Sequence, residues 1–352
     1  MSRWANDPDA AADQLIARCL DGIEIAGRIL LANQGGGVPA LLADRGLPFT
    51  AWNRRLAGSG DAHPWPPAGP FDVALLRLPK AKDEQEMAAH ACLGALVSGG
   101  RLIVYGGNDE GIRSAGGRIE RLCGTVETLA ARGHGRVLAA LRPVEIAGLR
   151  GALADWRTVT TLDVGGVARD WVSYPSVFAA GRIDAGTALL IGALPGLAAR
   201  ASVLDYGCGT GVIAASTRAA EPTLALDLLD SDAVALAAAR ENVPGARLIL
   251  GTRLADAGAR RYAAILSNPP LHRGIAEDHA LLHLLVADAP GMLDPGGVLQ
   301  MVVQRRVPLD RLLGQHFTDV TVAAENGSYR VWRGAVGSDP PAPTVPRRHR
   351  RP

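Results

Sequence analysis

The sequence lacks the features that would mark a membrane or secreted protein. No uncharged apolar run reaches the roughly eighteen residues that a membrane-spanning helix needs. The stretch Met1–Gln14 carries Asp7, Asp9 and Asp13 instead of the basic start and apolar core of a signal peptide. We therefore expect a soluble, cytoplasmic protein without a membrane partner.

The few cysteines and the small net charge do not indicate a function. The chain has four cysteines without CxxC spacing, which fits neither a disulfide framework nor a zinc site: Cys19, Cys92, Cys123 and Cys208. His279 and His283 lie four residues apart on a helix-like stretch, but no third ligand is near, so we predict no bound metal. The formal net charge of +2 does not by itself indicate a nucleic-acid-binding protein.

An internal repeat divides the 352 residues into two similar halves. RILLANQGGGVPALLA from Arg28 matches SVLDYGCGTGVIAAST from Ser202. Further along, FDVALLRLPK from Phe71 matches YAAILSNPPL from Tyr262, and GALVSGGRLIV matches GMLDPGGVLQM. Each segment is a short apolar run beside a Gly or Pro turn, with helix-like stretches between, which is the pattern of a parallel α/β sheet. Chance similarity of two such sheets is the alternative, but matches in the same order favour a duplication.

The two copies differ at the positions where a binding site would lie. The first copy has apolar or changed residues where the second has polar or glycine residues: Leu31 and Asn33 against Asp205 and Gly207, and Arg77 and Leu78 against Asn268 and Pro269. The first copy is therefore predicted to have lost its site.

The domain boundary is predicted near Gly151. Residues 1–150 then form a degenerate domain and residues 151–335 an intact one. The stretch 158–175 alternates apolar and polar residues around Gly165-Gly166, which predicts a β-hairpin at the entrance to the second domain. Residues 336–352 are proline-rich and then arginine-rich, so we expect a disordered basic tail.

A glycine-rich loop marks the second copy. ASVLDYGCGTGVIAAS combines an apolar strand, an acid at its end and glycines at every second position before a helix: Asp205, Gly207, Gly209 and Gly211. Glycines let the backbone approach a ligand closely, which predicts a nucleotide-binding crevice at the carboxyl end of the strand. A tight strand-to-helix turn without a ligand is the simpler alternative.

The next strand is predicted to end near Asp230. A carboxylate at that position can accept the hydroxyl hydrogens of a ribose, as in dinucleotide-binding folds. The alternative is that the acid caps the following helix, for which Ser231 and Asp232 also compete. We assign the ribose to Asp230 and the cap to Asp232.

SNPPLH, residues 267–272, follows the apolar run Ala263–Leu266. Proline has no N–H and a fixed φ, so Pro269 and Pro270 end the strand and hold the turn rigid. They also leave a face that can only accept hydrogen bonds. A plain strand-ending turn is the alternative.

In this order and spacing, VLDYGCGTG, LLDSD and SNPPLH resemble the class I S-adenosylmethionine-dependent methyltransferases that act on exocyclic or amide nitrogens. The degenerate first copy, YPSVFAAGRIDAG and the closing NGSYRVWRG resemble the bacterial ribosomal RNA guanine-N2 methyltransferases, especially those of the small subunit. The similarity extends to about Gly334. It implies an α/β fold of two tandem, duplicated Rossmann-like methyltransferase domains, with a degenerate N-terminal copy and a catalytic C-terminal copy.

The resemblance also implies a reaction, methyl transfer from S-adenosylmethionine to the exocyclic N2 amine of a guanine in ribosomal RNA. The implied catalytic residues supply carbonyl oxygens that accept the N–H groups of this amine, and the turn that holds them: Asn268, Pro269 and Pro270. The implied cofactor-binding residues are Asp205, Gly207, Gly209, Gly211, Asp230, Thr252, Asn268, Phe178 and Asp184. The implied substrate-binding residues are Leu271, His272 and Arg273.

Two positions depart from the family pattern. Leu271 stands where the family has an aromatic residue that stacks on the base, so Phe178 or Tyr329 is the candidate for that ring. Ala263 replaces a common acid. Two alternatives stay open. Methyltransferases that act on adenine or on a protein glutamine also use an NPP turn, and the two departures favour an idle RNA-binding or assembly factor.

The expected partner is ribosomal RNA or the small ribosomal subunit. Arginines expected at or near the carboxyl ends of the strands would contact phosphate: Arg253, Arg260, Arg261, Arg305 and Arg306. Lys80, Lys82 and Arg113 of the first domain would widen this surface. Solvated surface is the alternative for each residue singly. The sequence does not define the oligomeric state, and a monomer is the default expectation.

Overall fold

The computed structural model describes residues 8–23, 25–34, 36–56, 60–179, 181–269 and 275–338, with the side chains of all of these except 8–11 and 275–279. These residues form two units, each built on its own sheet. The first unit comprises Met1–Leu162, Arg169–Arg182 and Ser231–Asn242. The second comprises Asp163–Ala168, Ile183–Asp230 and Val243–Pro352.

Among the described residues, the first unit contains a six-stranded sheet. Its strands, in chain order, are β1 (Ile29–Ala32), β2 (Phe49–Trp52), β3 (Phe71–Arg77), β4 (Leu96–Gly107), β5 (Glu127–Arg132) and β6 (Gly135–Leu141). The spatial order is β2-β1-β3-β4-β6-β5, and the first four strands are parallel, whereas β6 pairs antiparallel with β4 and β5.

Helices cover both faces of this sheet: α1 (Pro8–Asp21), α2 (Val38–Asp44), α3 (Lys82–Ala95) and α4 (Ile112–Cys123). Alternate residues of β1 enter different cores. Ile29 and Leu31 pack with α1 and α2, and Leu30 and Ala32 pack with α3 and α4. A strand buried on both faces needs a continuous apolar run, which is why β1 reads ILLA without polar alternation.

The predicted hairpin is present, and in chain order it comes after the strands of the first sheet and before those of the second. β7 (Thr158–Val164) and β8 (Val167–Ser173) form a two-stranded sheet. Its turn is Gly165-Gly166, with φ of +66° and +80°, a conformation that favours glycine at both positions.

Within the described ranges, the second unit contains a seven-stranded sheet. Its strands are β9 (Ser202–Tyr206), β10 (Ala225–Asp230), β11 (Arg247–Leu250), β12 (Tyr262–Ser267), β13 (Leu293–Gln304), β14 (Asp319–Glu325) and β15 (Tyr329–Ala335). The associated helices are α5 (Ala185–Ile191), α6 (Val212–Ala220), α8 (Ile275–Met292) and α9 (Asp310–Leu313). Helix α7 (Ala233–Asn242) belongs to the first unit.

The two sheets share topology and register. The second has the order β11-β10-β9-β12-β13-β15-β14, which repeats the order of the first with β11 added at one edge. In the first sheet the pairing jumps from Phe71↔Leu96 to Val73↔Arg101, and in the second from Tyr262↔Leu293 to Ala264↔Val298. The same irregularity at equivalent positions is strong support for duplication, so the predicted fold is confirmed.

A buried ion-pair network holds α7 within the first unit. Arg54 Nε donates to both carboxylate oxygens of Asp232 at 2.9 and 3.0 Å. Asp232 Oδ1 also accepts the backbone N–H of Val234 at 2.9 Å and thereby caps α7. Nearby, Arg55 donates to Glu84 at 2.6 Å. Because Arg54 is only 2% exposed, its charge depends on these partners.

In the part of the chain that the structure describes, none of the helices has the length and apolarity to cross a bilayer. The same residues contain no cluster of three or more His, Cys, Asp or Glu side chains able to hold a metal ion. The four cysteines, all within the described residues, form no disulfide; Cys92 and Cys208 are buried and the other two are half-buried.

Candidate active site

The glycine loop connects β9 to α6 at the carboxyl edge of the second sheet. Gly207, Gly209 and Gly211 have φ of +70°, +54° and +87°, which side-chain-bearing residues rarely adopt. The N–H groups of Gly207 and Cys208 both donate to the carbonyl of Leu229, at 2.8 and 3.1 Å. A Cβ placed on Gly209 would meet no described atom within 4 Å, so the space beside the loop is open.

Asp205, at the end of β9, is buried beneath this loop. Its Oδ2 accepts the N–H of Ala214, in the first turn of α6, at 3.0 Å. Its Oδ1 has no hydrogen-bond partner among the described residues. Burial raises the pKa of the carboxyl to about 7, an effect that the Ala214 N–H reduces and the charge of Asp230 increases. A buried oxygen without a partner beside an open glycine loop fits a site that receives a polar ligand.

Asp230 ends β10, and the structure separates it from the helix cap. Its Oδ2 accepts the N–H of Gly209 at 2.8 Å, whereas Asp232 caps α7. The predicted division of roles between the two acids is therefore geometrically consistent. The ribose contact of Asp230 stays a prediction.

Thr252 follows β11 and is tied to the same edge of the sheet. Its carbonyl accepts the hydroxyl of Tyr206 at 2.8 Å. Burial is the main cause that raises the pKa of Tyr206 to about 12, followed by the charges of Asp230, Asp256 and Asp288. A small cleft beside these residues is lined by leucines and two charged side chains: Leu254, Leu281, Leu284, Leu285, Arg253 and Asp288. The contact of Thr252 with the adenine stays a prediction.

The NPP turn follows β12, next to β9. Ser267, which is fully buried, donates its hydroxyl to the carbonyl of Tyr206 at 2.8 Å. This bond joins the end of the strand that leads into the glycine loop to the end of the strand that leads into the turn. Asn268 is half-buried and Pro269 is buried. The predicted residues Pro270, Leu271, His272 and Arg273 lie outside the described residues.

The side-chain amide of Asn268 contacts the start of α5. Its Nδ2 donates to Thr187 Oγ1 at 2.9 Å and to Asp184 Oδ1 at 3.3 Å. Asp184 is also the N-cap of α5 and accepts the N–H groups of Gly186 at 3.0 Å and Thr187 at 3.3 Å. The sequence predicted Asp184 as a cofactor contact, and the structure adds a direct bond to the predicted catalytic amide.

The two candidate aromatic rings lie in different units. Tyr329, at the start of β15, lies against α5, because a Cβ placed on Gly186 would come within 3.1 Å of its Cε1. Phe178 belongs to the first unit and is 52% exposed. Both remain predictions as contacts of cofactor or base.

The predicted arginine surface needs correction. Arg260 and Arg261 precede β12 and so lie at its amino end, opposite the site, because the carboxyl end of β12 carries the NPP turn. Arg260 pairs with the buried Asp227 at 3.0 Å, and Arg261 donates to the carbonyl of Leu293. The alternation of strands and helices decides which end of the sheet a loop occupies, so the prediction that these two residues lie at the carboxyl end is wrong.

The other predicted arginines follow strands. Arg253 lies after β11 at 3.6 Å from Asp288, and Arg305 lies after β13 at 3.7 Å from Glu325. Arg306 is exposed. These positions are at the carboxyl edge, as predicted. The arginines of residues 339–352 and the side chain of His279 lie outside the described residues.

The equivalent edge of the first unit is filled by its own side chains. Arg77, which stands in the position of Asn268, donates through both terminal nitrogens to Glu110 at 2.7 Å each. Glu110 also accepts the N–H of Gly107 at 2.6 Å. In the glycine loop of this copy, the N–H of Gly37 donates to Asp13 of α1 at 2.7 Å. In the first unit, side chains of the unit itself therefore occupy the hydrogen-bonding positions that a ligand would use, in agreement with the loss of the site inferred from the sequence.

Comparisons with known proteins identify the family of this chain. The Methyltransferase small domain family matches residues 169–333, and its N-terminal companion, Methyltransferase small domain N-terminal, matches residues 55–137. The Ribosomal RNA small subunit methyltransferase C of Shewanella halifaxensis is 32% identical over 274 residues, covering 77% of this chain and 79% of that protein. The chain therefore belongs to the ribosomal RNA small subunit methyltransferase C family. The protein of the same name from Alteromonas mediterranea is 31% identical over 265 residues, covering 74% of this chain and 72% of that one.

A solved structure has the same fold as this methyltransferase. The 16S rRNA guanine-N2 methyltransferase of T. thermophilus, in complex with S-adenosylmethionine and guanosine, superposes with a TM-score of 0.80. The match covers 95% of this chain and 93% of that chain at 22% identity. The predicted methyltransferase fold and enzyme class are confirmed.

Proposed function

We propose that this methyltransferase transfers a methyl group from S-adenosylmethionine to the exocyclic N2 amine of a guanine in small-subunit ribosomal RNA. One observation carries the proposal: the glycine loop and the NPP turn end adjacent strands, and Ser267 bonds directly to Tyr206 at 2.8 Å. The names of the relatives and of the T. thermophilus structure support the choice of substrate. The site of action follows from that substrate and is the cytoplasm.

The cofactor would lie along the glycine loop. Asp230 would accept the ribose hydroxyls, the edge near Thr252 would receive the adenine, and the unpartnered oxygen of Asp205 would face the polar end of the molecule. When bound, S-adenosylmethionine supplies an electrophilic methyl group on a sulfonium. The residues of this chain bind and orient it.

The amine is activated by position and charge. The lone pair of an exocyclic amine is delocalised into the base, so the nitrogen is a weak nucleophile. Asn268 Oδ1 and the carbonyl of Pro269 would each accept one N–H, which holds the nitrogen in line and favours the positive charge that develops on it. The nitrogen that gains a methyl group releases one proton to water, so a strong base is unnecessary. Tyr329 is our candidate for the ring that stacks on the base.

We also infer the division of the chain into a degenerate domain (1–150), a catalytic domain (151–335) and a basic tail (336–352). The loss of polar residues from the first copy and the Arg77–Glu110 pair in its place support this division. We expect the protein to act as a monomer on RNA or on the small subunit, which light scattering at several concentrations tests.

Nucleoside mass spectrometry tests the function. Ribosomal RNA from a strain without the gene should contain less N2-methylguanosine than wild-type RNA, and the wild-type gene should restore the amount, whereas Asn268→Ala should not. Restoration of N6-methyladenosine would instead point to adenine. A wild-type protein that binds S-adenosylmethionine but changes no nucleoside would point to a protein substrate. A protein that neither binds S-adenosylmethionine nor changes a nucleoside would be an assembly factor.

A further inference from the structure

The catalytic role assigned to Asn268 depends on which end of its amide faces the substrate. A side-chain amide has a carbonyl that accepts and an NH₂ that donates, and the two differ by a half-turn. Only the carbonyl can accept an N–H of the amine. The contacts on the other end of the amide therefore decide whether the residue is competent.

Those contacts come from one place, the first turn of α5. Asp184 Oδ1 lies 3.3 Å and Thr187 Oγ1 2.9 Å from Asn268 Nδ2. A carboxylate oxygen only accepts hydrogen bonds, so an Asn268 carbonyl turned toward it would be repelled. The Asp184 side chain cannot easily turn away, because both of its oxygens already accept backbone N–H groups of α5.

Thr187 Oγ1 accepts a second hydrogen bond from the same NH₂ group at 2.9 Å. Because a hydroxyl can also donate, the carboxylate of Asp184 selects the orientation of the amide, and Thr187 helps to hold it there. Its side chain is buried and lies one turn into the helix that Asp184 caps. Among the described residues, none donates to Asn268 Oδ1, so the carbonyl remains available on the side away from α5. The amide is thus held from one end only.

We propose that Thr187 and Asp184 are positioning residues that fix the rotamer of the Asn268 amide and so direct Oδ1 at the substrate amine. The proposal rests on the proposed function for the identity of the amine. It predicts that loss of the Thr187 hydroxyl lowers turnover while cofactor binding is retained.

The first experiment compares variants of buried threonines. Thr187→Val keeps the shape and removes the acceptor, so the single-turnover rate of methylation of unmodified small-subunit rRNA should fall about tenfold. The dissociation constant for S-adenosylmethionine, measured by calorimetry, should stay within about twofold. Thr187→Ser restores the hydroxyl and should recover most of the rate.

Thr217→Val is the matched control. Thr217 is equally buried, and its hydroxyl donates to Ile213 within α6 at 2.7 Å, away from the amide. This variant should lose similar stability and keep the wild-type rate. A wild-type rate for Thr187→Val, or equal losses for Thr187→Val and Thr187→Ser, would overturn the proposal.

The second experiment exchanges donor and acceptor across the contact. Asn268→Asp alone places a second carboxylate against that of Asp184. It should reduce the rate more than a hundredfold, which is about the effect of losing one transition-state hydrogen bond. Asp184→Asn still caps α5, because asparagine is an equally good N-cap, and in the double variant its NH₂ can donate to the carboxylate introduced at position 268. The double variant should therefore be faster than Asn268→Asp alone. Purely additive losses would contradict the assigned orientation.

A measurement without substrate separates this proposal from the proposed function. In ¹⁵N-labelled wild-type protein, the Asn268 side-chain NH₂ protons should exchange slowly with water, and Thr187→Val should accelerate the exchange about tenfold. Asn268→Ala identifies the signals by their loss. If the wild-type protein methylates no rRNA but the NH₂ is protected, the function fails and the positioning stands. Unprotected NH₂ protons would refute the positioning by itself.

Discussion

The Oδ2 atom of Asp230 accepts the N–H of Gly209 at 2.8 Å, so the acid that is predicted to bind the ribose also holds the loop that is predicted to bind the rest of the cofactor. The two functions can be separated by substitution. Asp230→Asn would keep a carbonyl for Gly209 but lose the charge that favours two hydroxyl donors.

Asp230→Asn should weaken S-adenosylmethionine binding about tenfold, and Asp230→Ala should weaken it further because the loop also loses its anchor. Calorimetric titration of wild type and both variants measures this. Equal dissociation constants for the two variants would mean that the Gly209 bond contributes nothing to binding, and wild-type values for both would remove Asp230 from the cofactor site.

Asp205 should make stability depend on pH in a defined direction. Folding raises the pKa of its carboxyl from 3.8 to about 7, so the folded protein holds a proton that the unfolded chain has released between these values. The free energy of unfolding therefore falls as pH rises through that window, by at most about 1.4 kcal/mol per pH unit from this residue. Above about pH 7 the contribution is constant.

Asp205→Asn cannot titrate, so without cofactor it should gain stability relative to wild type as the pH rises from about 4 to about 7. Urea unfolding at several pH values measures the difference. The same variant should bind S-adenosylmethionine more weakly. Parallel stability curves for the two proteins would show that Asp205 is ionised throughout.

The Arg77–Glu110 pair should matter for the first unit as a pair. Arg77→Met leaves a buried carboxylate without its partner and should cost about 3–5 kcal/mol. The double variant Arg77→Met/Glu110→Met should recover most of this loss, because two apolar side chains can fill the space, although the N–H of Gly107 then lacks its acceptor. Urea unfolding of the three variants and wild type decides. A double variant no more stable than Arg77→Met would show that the Gly107 contact dominates.

Asp232 has two structural roles that two substitutions distinguish. Asp232→Asn keeps the cap of α7 and loses the charge opposite Arg54, and Asp232→Ala loses both. We expect Asp232→Ala to be less stable than Asp232→Asn by about 1 kcal/mol, the usual value of an N-cap. Thermal unfolding of both variants measures the difference. Equal stabilities of the two variants would mean that Asp232 stabilises the protein only through its ion pair with Arg54.

Sequence reasoning reached the fold because its evidence was local. Apolar runs, glycines and prolines define strands and turns, and their repetition in one order defines the duplication. It could not find the shared register irregularity at Phe71 and Tyr262, since strand pairing leaves no local signal.

Only the part of the site that has a local sequence signal could be predicted. Asp205, Asp230 and Asn268 stand next to recognisable turns. Ser267 and Thr187 do not, and their partners Tyr206 and Asn268 lie 61 and 81 residues away in the chain. The misplaced Arg260 shows the converse error, because a charged residue near a motif in sequence can lie at the opposite end of the strand.

The side chain of Arg77 also has a chemical consequence. A guanidinium only donates hydrogen bonds, and Glu110 neutralises its charge through two contacts of 2.7 Å. The position that corresponds to the amide of Asn268 therefore carries a side chain that cannot accept the N–H of an amine. The N-terminal half is in this sense a pseudoenzyme, in which the backbone fold persists and the acceptor needed for the reaction has been replaced by a donor.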